Sequence, residues 1–363
     1  MNGVVDTLRS TLTPDIGIDV GTANTVIYER DAGTLISEPS VVAYDTKTGE
    51  IIACGQAAKE MDGRGGDRIR VVHPLRGGAI SDFKAAHTLV STVLNRGLSR
   101  RARLVPRVIA SVPGCATDIE CKAVEEALRS AGARNPAFVQ QAVAAAVGAG
   151  LDITSPRAAM IVDIGGGTTE IAVLALSGVV ALRSLKVGGD SFDRAIAARL
   201  RAERFIIGPL SAEALKIGLS FAGRPAGRDP MTISGFDLYA SAPRRREVSE
   251  ALVGEAMAEQ IGQIVAGMRS VLESTPPDLV ADLIESGVTV TGGGALISGL
   301  AASLGEQTRI PCMIAEEPLL SVARGAADIL ASPTLLERLR PSADKLTRWY
   351  QSLRTGMSES YSS

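Results

Sequence analysis

Apolar positions along this chain alternate between the two-residue period of half-buried strands and the three-to-four-residue period of helices. Residues 16–20 read as a strand, followed by the turn Gly21-Thr22-Ala23-Asn24 and a second strand over 25–28. Short extended pieces are predicted at 40–43 and 51–53, a polar, Gly-rich loop at 60–68 and a helix at 83–95. A strand over 107–112 stops at Pro113-Gly114. Thr117 and Glu120 have capping-box spacing, and Ile119, Ala123, Val124, Ala127, Leu128 and Ala131 then recur at helical intervals until Gly132. A brief strand at 138–139 precedes an Ala-rich helix at 142–150. Strands at 160–163 and 169–176 enclose Gly165-Gly166-Gly167. Further helices are predicted at 190–203, 211–219, 248–273 (closed by Pro276-Pro277) and 319–330, with a polar tail from Pro341.

The pattern repeats. Residues 18–27 match residues 162–171, 144 positions later: apolar-Asp-apolar-Gly, a small-residue turn, then an apolar strand. Two copies of one hairpin imply an α/β fold of two related halves that face each other. A third Gly-rich turn, Gly292-Gly293-Gly294-Ala295, follows a third strand at 288–290.

Composition narrows the chemistry. Among 363 residues, 45% are hydrophobic and 21% charged, with a net charge of -2, which fits a folded globular chain and disfavours a general nucleic-acid surface. At 3%, aromatics are too few for a base-stacking platform. Four Cys without a CxxC pair and two His argue against structural zinc. No secretory leader is predicted, and the longest apolar run, 142–151, falls well short of the ~18 residues of a membrane span.

Turns built from Gly and small residues expose backbone N–H groups, on which a phosphate chain can lie. An Asp at the end of the preceding strand adds a carboxylate suited to Mg²⁺ held through water. Two such hairpins on opposite halves would clamp a polyphosphate, and the third turn would admit a ribose or base. Neither a P-loop nor a dinucleotide-binding signature is present.

The phrases IDVGTANT, EPSVVA, IVDIGGGTTE, VGGDSFD, TGGGALISGL and EEPLLSVARGA closely resemble the bacterial actin-like MreB family, from about residue 15 to about residue 330. The resemblance implies the actin-like fold, two lobes with a duplicated α/β core and ATP with Mg²⁺ between them. Lobe I would comprise 12–141 and 319–340 with an insert at 33–75; lobe II would comprise 142–318 with an insert at 195–250, leaving 341–363 as a tail. Asp19, Gly21, Thr22, Ala23 and Asn24 then resemble the first phosphate loop, and Asp163, Gly165, Gly166, Gly167 and Thr168 the second. Asp19 and Asp163 would hold Mg²⁺ through water. Gly292, Gly293, Gly294 and Ala295, with Glu213, Ala214, Leu215 and Lys216, resemble the adenosine site. Implied partners are further copies of the chain in filaments, the inner face of the cytoplasmic membrane and the cell-wall elongation machinery, with no nucleic acid.

There are departures from the family pattern. The family's hydrolytic Glu is Gln141 here, which cannot take a proton at neutral pH but can orient a water; a slow ATPase is the expectation, with Asp19 and Asp163 beside it. Gly218 stands where the family has an acidic residue, and His73 where it has Arg. Arg96, Arg100, Arg101, Arg103 and Arg107 cluster around Leu98–Val105, the segment expected to meet the membrane, and 4–12 form a second weakly amphipathic stretch. Arg244-Arg245-Arg246 reads as a solvated loop or a filament contact. A metabolite kinase of the same fold would need a substrate carboxylate that no phrase here resembles. A chaperone-type ATPase would need a peptide-binding domain, for which the residues after about 330 are too few. Plasmid or DNA segregation filaments are the nearest alternative, separable by DNA or adaptor binding.

Overall fold

The computed structural model describes residues 14–339 except 99–105, 115, 134 and 224. Two five-stranded sheets dominate the described residues. The first runs Ala137–Gln140, Arg107–Val112, Asp15–Val20, Asn24–Glu29, Gly33–Pro39. The second runs Gly178–Leu185, Thr169–Ala175, Ala159–Ile164, Val288–Thr291, Cys312–Ile314. Each is an antiparallel meander of three strands extended by two parallel ones. The sequence repeat is therefore a structural repeat, and even the register is copied. Ile18 pairs with Ile27 and Asp19 with Val26; 144 positions on, Val162 pairs with Ile171 and Asp163 with Glu170.

Each sheet has its own outer core. Helices Phe83–Leu98 and Asp118–Ser130 cover the first around Leu89, Leu94 and Leu128. Helices Gly189–Ala202, Pro209–Leu219 and Glu250–Ser274 cover the second around Phe192, Leu215 and Ile264. The Thr117–Glu120 capping box forms as predicted. Helices Gln141–Gly148 and Ser321–Ala331 lie between the sheets and share a third core with Ile109, Ile161 and Leu174. The first of these helices leaves the first sheet and packs on the second; the other leaves the second sheet and packs on the first. The chain thus crosses twice between halves.

Glycine permits that crossing. A Cβ on Gly148 would lie 1.8 Å from the Ser321 carbonyl oxygen, and one on Gly325 would lie 1.9 Å from that of Ala144. The two backbones touch, so no side chain fits between them.

Two small sheets project from the halves: Val42–Asp45, Ile51–Cys54 and Ile69–Val72, with the short helix Gln56–Glu60, and Phe205–Ile206, Met231–Asp237 and Ala242–Val248. The loop expected at 60–68 is largely turn, as read. The Arg244-Arg245-Arg246 stretch is not a loop: it lies in the Ala242–Val248 strand, where Arg246 forms an ion pair with Glu203. Arg107 is likewise committed, donating through Nε and Nη2 to Asp15 at 2.6 Å each. Residues 99–105, including Arg100, Arg101, Arg103, Leu104 and Val105, lie outside the described residues, as do 4–12 and the tail at 341–363.

The crossing predicts opposite signs for one substitution at two helical glycines. Gly148→Ala should destabilise by about 1–3 kcal/mol, because the methyl group has backbone on its only free side. Gly262→Ala, exposed in Glu250–Ser274 with nothing within 4 Å of the added carbon, should stabilise by about 0.5–1 kcal/mol. Urea midpoints measure both, and equal shifts of one sign would refute the packing account.

Candidate functional site

A cavity of about 400 Å³ opens between the halves. Its walls include Asp19 and the turn Gly21–Asn24 from one side and Asp163 and the turn Gly165–Thr168 from the other. Gln141, Glu213, Lys216, Gly292, Gly293 and Gly294 complete the predicted set that lines it. Each turn closes on itself: Gly21 N–H donates to the Asn24 carbonyl at 3.1 Å, and Gly165 N–H to that of Thr168 at 2.8 Å. The turns meet across the cleft, since a Cβ on Gly166 would lie 2.7 Å from the Ala23 Cβ. Helix Gly189–Ala202 braces the second turn, with Asp190 N–H donating to the Gly166 carbonyl at 2.7 Å. Gly292 has φ +79° and abuts Asp163; a Cβ there would lie 2.5 Å from Oδ1.

The floor is acidic. Ser111 Oγ donates to Asp19 Oδ1 at 2.9 Å, and Gln141 Nε2 donates to Asp163 Oδ2 at 2.8 Å. Burial pushes the Asp19 carboxyl up to about 7, with Asp163 adding to the rise and the Ser111 hydrogen bond opposing it. Burial likewise raises Asp163 to about 6, against the Gln141 hydrogen bond. Glu170, also buried, is raised to about 7 by the same desolvation, which the Gly114 N–H opposes and Asp163 reinforces. No basic side chain is among the groups that set these three values. The missing complement is a cation. Among the described residues no group of three or more His, Cys, Asp or Glu is disposed to hold a metal alone. Asp19 and Asp163 are carboxylate donors of the kind Mg²⁺ takes, and its other ligands would come from water and phosphate.

Because Gln141 gives its N–H to Asp163, its amide oxygen is the end left to accept a hydrogen bond in the cavity.

The mouth departs from expectation. Glu213 and Lys216 share a helix face but each has another partner. Lys59, on the small helix of the opposite half, meets Glu213 at 2.8 Å. Lys216 meets Asp193 at 2.8 Å and the Gly189 carbonyl at 3.4 Å. Of the residues predicted alongside them, Leu215 and Ala295 are fully buried in the core of the second half, and Ala214 is exposed without lining the cavity. A Cβ on Gly218 would lie 2.3 Å from Met231 Sδ, so a side chain there would displace the end of Met231. Apolar walls come instead from Ile217, Leu296 and Leu319, all more than half exposed, as suits a planar base. Sequence reasoning missed Lys59, Ser111 and Glu170. Only Glu170 carried a signal, as the acidic departure within the repeat.

The family described as MreB/Mbl protein matches residues 13–338. The cell shape-determining protein Mbl of Bacillus subtilis (strain 168) is 38% identical over 317 residues, 87% of this chain and 95% of that protein. The crystal structure of MreB5 of Spiroplasma citri bound to ADP superposes with a TM-score of 0.83 at 33% identity, over 87% of this chain and 96% of that one. The same protein bound to AMPPNP gives 0.82 at 32%, over 90% and 97%. The chain belongs to the MreB/Mbl family and has the actin-like fold.

The buried carboxyls predict a pH dependence. Their folded values lie above the usual carboxylate range, so the folded state binds more protons than the unfolded between pH ~4 and ~7. Their contribution to stability is full below that window and lost as pH rises through it. In the nucleotide-free protein, Asp19→Asn should flatten the fall in melting temperature between pH 5 and 7.5. An unchanged slope would mean that Asp19 ionises normally.

Proposed function

We propose that this member of the MreB/Mbl family binds ATP with Mg²⁺ in the cleft, hydrolyses it slowly, and assembles into filaments at the inner face of the cytoplasmic membrane that organise cell-wall synthesis and cell shape. The observation that carries the nucleotide reading is the apposition of two matched turns, each with a buried Asp, around one cavity that Gln141 also lines. Spiroplasma MreB5, bound to ADP and to AMPPNP, supports it.

The backbone N–H groups of the two turns and the positive end of helix Gly189–Ala202 favour a polyphosphate. Bound Mg²⁺ would neutralise developing charge on the phosphates. Asp19 and Asp163 would hold it through water, and Ser111 and Gln141 fix the two carboxylates. The Gln141 oxygen orients the attacking water without taking its proton, so hydrolysis is slower than with a basic carboxylate. Ile217, Leu296 and Leu319 receive the base, and Lys59 with Glu213 spans the entrance.

Gln141→Ala should lower single-turnover ATP hydrolysis by about tenfold or more while ATP affinity stays within about twofold, since the loss belongs to the transition state. Gln141→Glu should hydrolyse at least as fast as the parent. Asp163→Ala should weaken Mg-ATP binding in calorimetry; parent-like affinity there would place the nucleotide elsewhere.

Self-assembly and the role in shape rest on family membership; Mbl is a shape-determining protein. Membrane attachment is assigned to Leu98–Val105, whose sequence combines basic and apolar residues. Each Arg near an anionic leaflet is worth about 1 kcal/mol, weak alone and additive along a filament. Replacing Leu104 and Val105 with Ser should cut pelleting on anionic liposomes and leave polymerisation intact; undiminished pelleting would move the anchor to another segment.

A further inference from the structure

One wall of the cavity is a loop. Residues 315–320 join the strand Cys312–Ile314 to the helix Ser321–Ala331. Pro318 and Leu319 of this loop line the cavity. The Pro318 carbonyl accepts the Gly292 N–H at 3.0 Å and the Thr291 hydroxyl at 3.1 Å. Leu319 lies beside Gly293, where a Cβ would come 3.5 Å from Leu319 Cδ2. The loop and the glycine turn thus form one continuous surface.

The loop does not hold this shape through local preference. Glu317 has φ +48°, in the left-handed region that a side chain disfavours. Glu316, Glu317 and Leu319 are all exposed, so little packing restrains them. The restraint comes from Arg324, in the first turn of the following helix. Its Nη1 meets Glu317 Oε2 at 3.0 Å, and its Nη2 donates to the Glu316 carbonyl at 3.2 Å. Its Nε donates to the Gly148 carbonyl at 2.9 Å, and Nη2 donates there as well. Gly148 is the last residue of helix Gln141–Gly148, where carbonyls have no partner within the helix. It is also a point of backbone contact between the two crossing helices. One guanidinium therefore fixes an exposed, strained loop to the crossing. The planar fork suits this task, since a Lys ammonium lacks donors in the same fixed directions.

We propose that Arg324 is a positioning residue for the base: with Glu317 it anchors residues 316–319 to the crossing, which sets Leu319 and the Pro318 carbonyl against the glycine turn as the wall on which the base lies. The inference rests on the reading of the cleft as an ATP site. Arg324 does not line the cavity; it acts through Leu319 and Pro318. Neither Gln141 nor Asp163 is among its hydrogen-bond partners, so it bears on nucleotide affinity and not on the hydrolytic step.

The test uses Arg324→Lys and Glu317→Gly, with Leu319→Ala as a second background for the first. Lysine keeps the charge and loses the fork. Glycine removes the carboxylate, adopts the left-handed backbone without strain and leaves the Gly148 and Glu316 contacts in place. Calorimetry with Mg-AMPPNP, turnover at saturating ATP and thermal melting are measured on the full chain. Arg324→Lys should weaken AMPPNP binding by about tenfold, and Glu317→Gly by about threefold because that pair is exposed. Turnover at saturating ATP should stay within about twofold of the parent in both. On Leu319→Ala, Arg324→Lys should weaken binding by less than about threefold more, because the wall it positions is already cut back. Parent-like affinity in both variants, the full loss on Leu319→Ala, or slower saturated turnover with affinity retained would each overturn the proposal. If Arg324→Lys does not fold, Glu317→Gly decides, and parent-like affinity there overturns it. Leu319→Ala with parent-like affinity sinks this inference alone, whereas a parent that binds no nucleotide sinks the ATP reading with it.

Discussion

Two carboxyl groups, Asp19 and Asp163, are buried against each other at the floor of the cleft, and among the described residues no basic side chain is one of the groups that shift them. Much of the surrounding structure answers that arrangement. Ser111 and Gln141 each commit a donor to one of the two. Gly292 removes a side chain so that backbone can pass beside Asp163. The facing turns are stripped to Gly and Ala so that the halves close to contact at Gly166 and Ala23. Such a floor is costly for the fold, because desolvation and like charge both oppose ionisation of the two carboxyls.

Duplication explains how the floor arose from one design and why its halves are not equivalent. Both hairpins retain the register and the terminal Asp. They differ at the turn, where Ala23 faces Gly166, and beside the Asp, where Val26 corresponds to Glu170. The first difference lets one turn seat against the other. The second adds a buried carboxyl to the second half, where it accepts the Gly114 N–H of the first. Symmetry supplies the clamp, and departures from it give the clamp a direction.

Local features were legible in the sequence; long-range partners were not. The two hairpins, the capping box and the long helices depend on neighbours a few residues away, and they form close to where patterning puts them. Lys59 and Glu213 are separated by 154 positions, and Ser111 and Asp19 by 92, with nothing local to mark either pair. The strands Met231–Asp237 and Ala242–Val248 escaped because they form a small, largely exposed sheet whose polar residues obscure the two-residue period. Leu215 was placed in the site by adjacency, although helical period separates it: Glu213, Lys216 and Ile217 face the cleft, while Ala212, Leu215 and Leu219 face the core. Beside Gly218 the space is taken by the Met231 side chain, which lies 13 positions along the chain in the small exposed sheet.

The mouth and the hinge differ in kind. Lys59 and Glu213 are each about a third exposed, and such a pair contributes only about 0.2–1 kcal/mol, screened further by salt. It biases closure without enforcing it. The crossing of Gln141–Gly148 with Ser321–Ala331 has backbone against backbone at Gly148 and Gly325, and any separation there would open a void in the shared core. Relative motion of the halves is consequently cheap at the entrance and costly at the crossing. Gln141 is the first residue of one crossing helix, and it lines the cavity at the end away from Gly148. Its hydrogen bond to Asp163 ties the start of that helix to the second sheet.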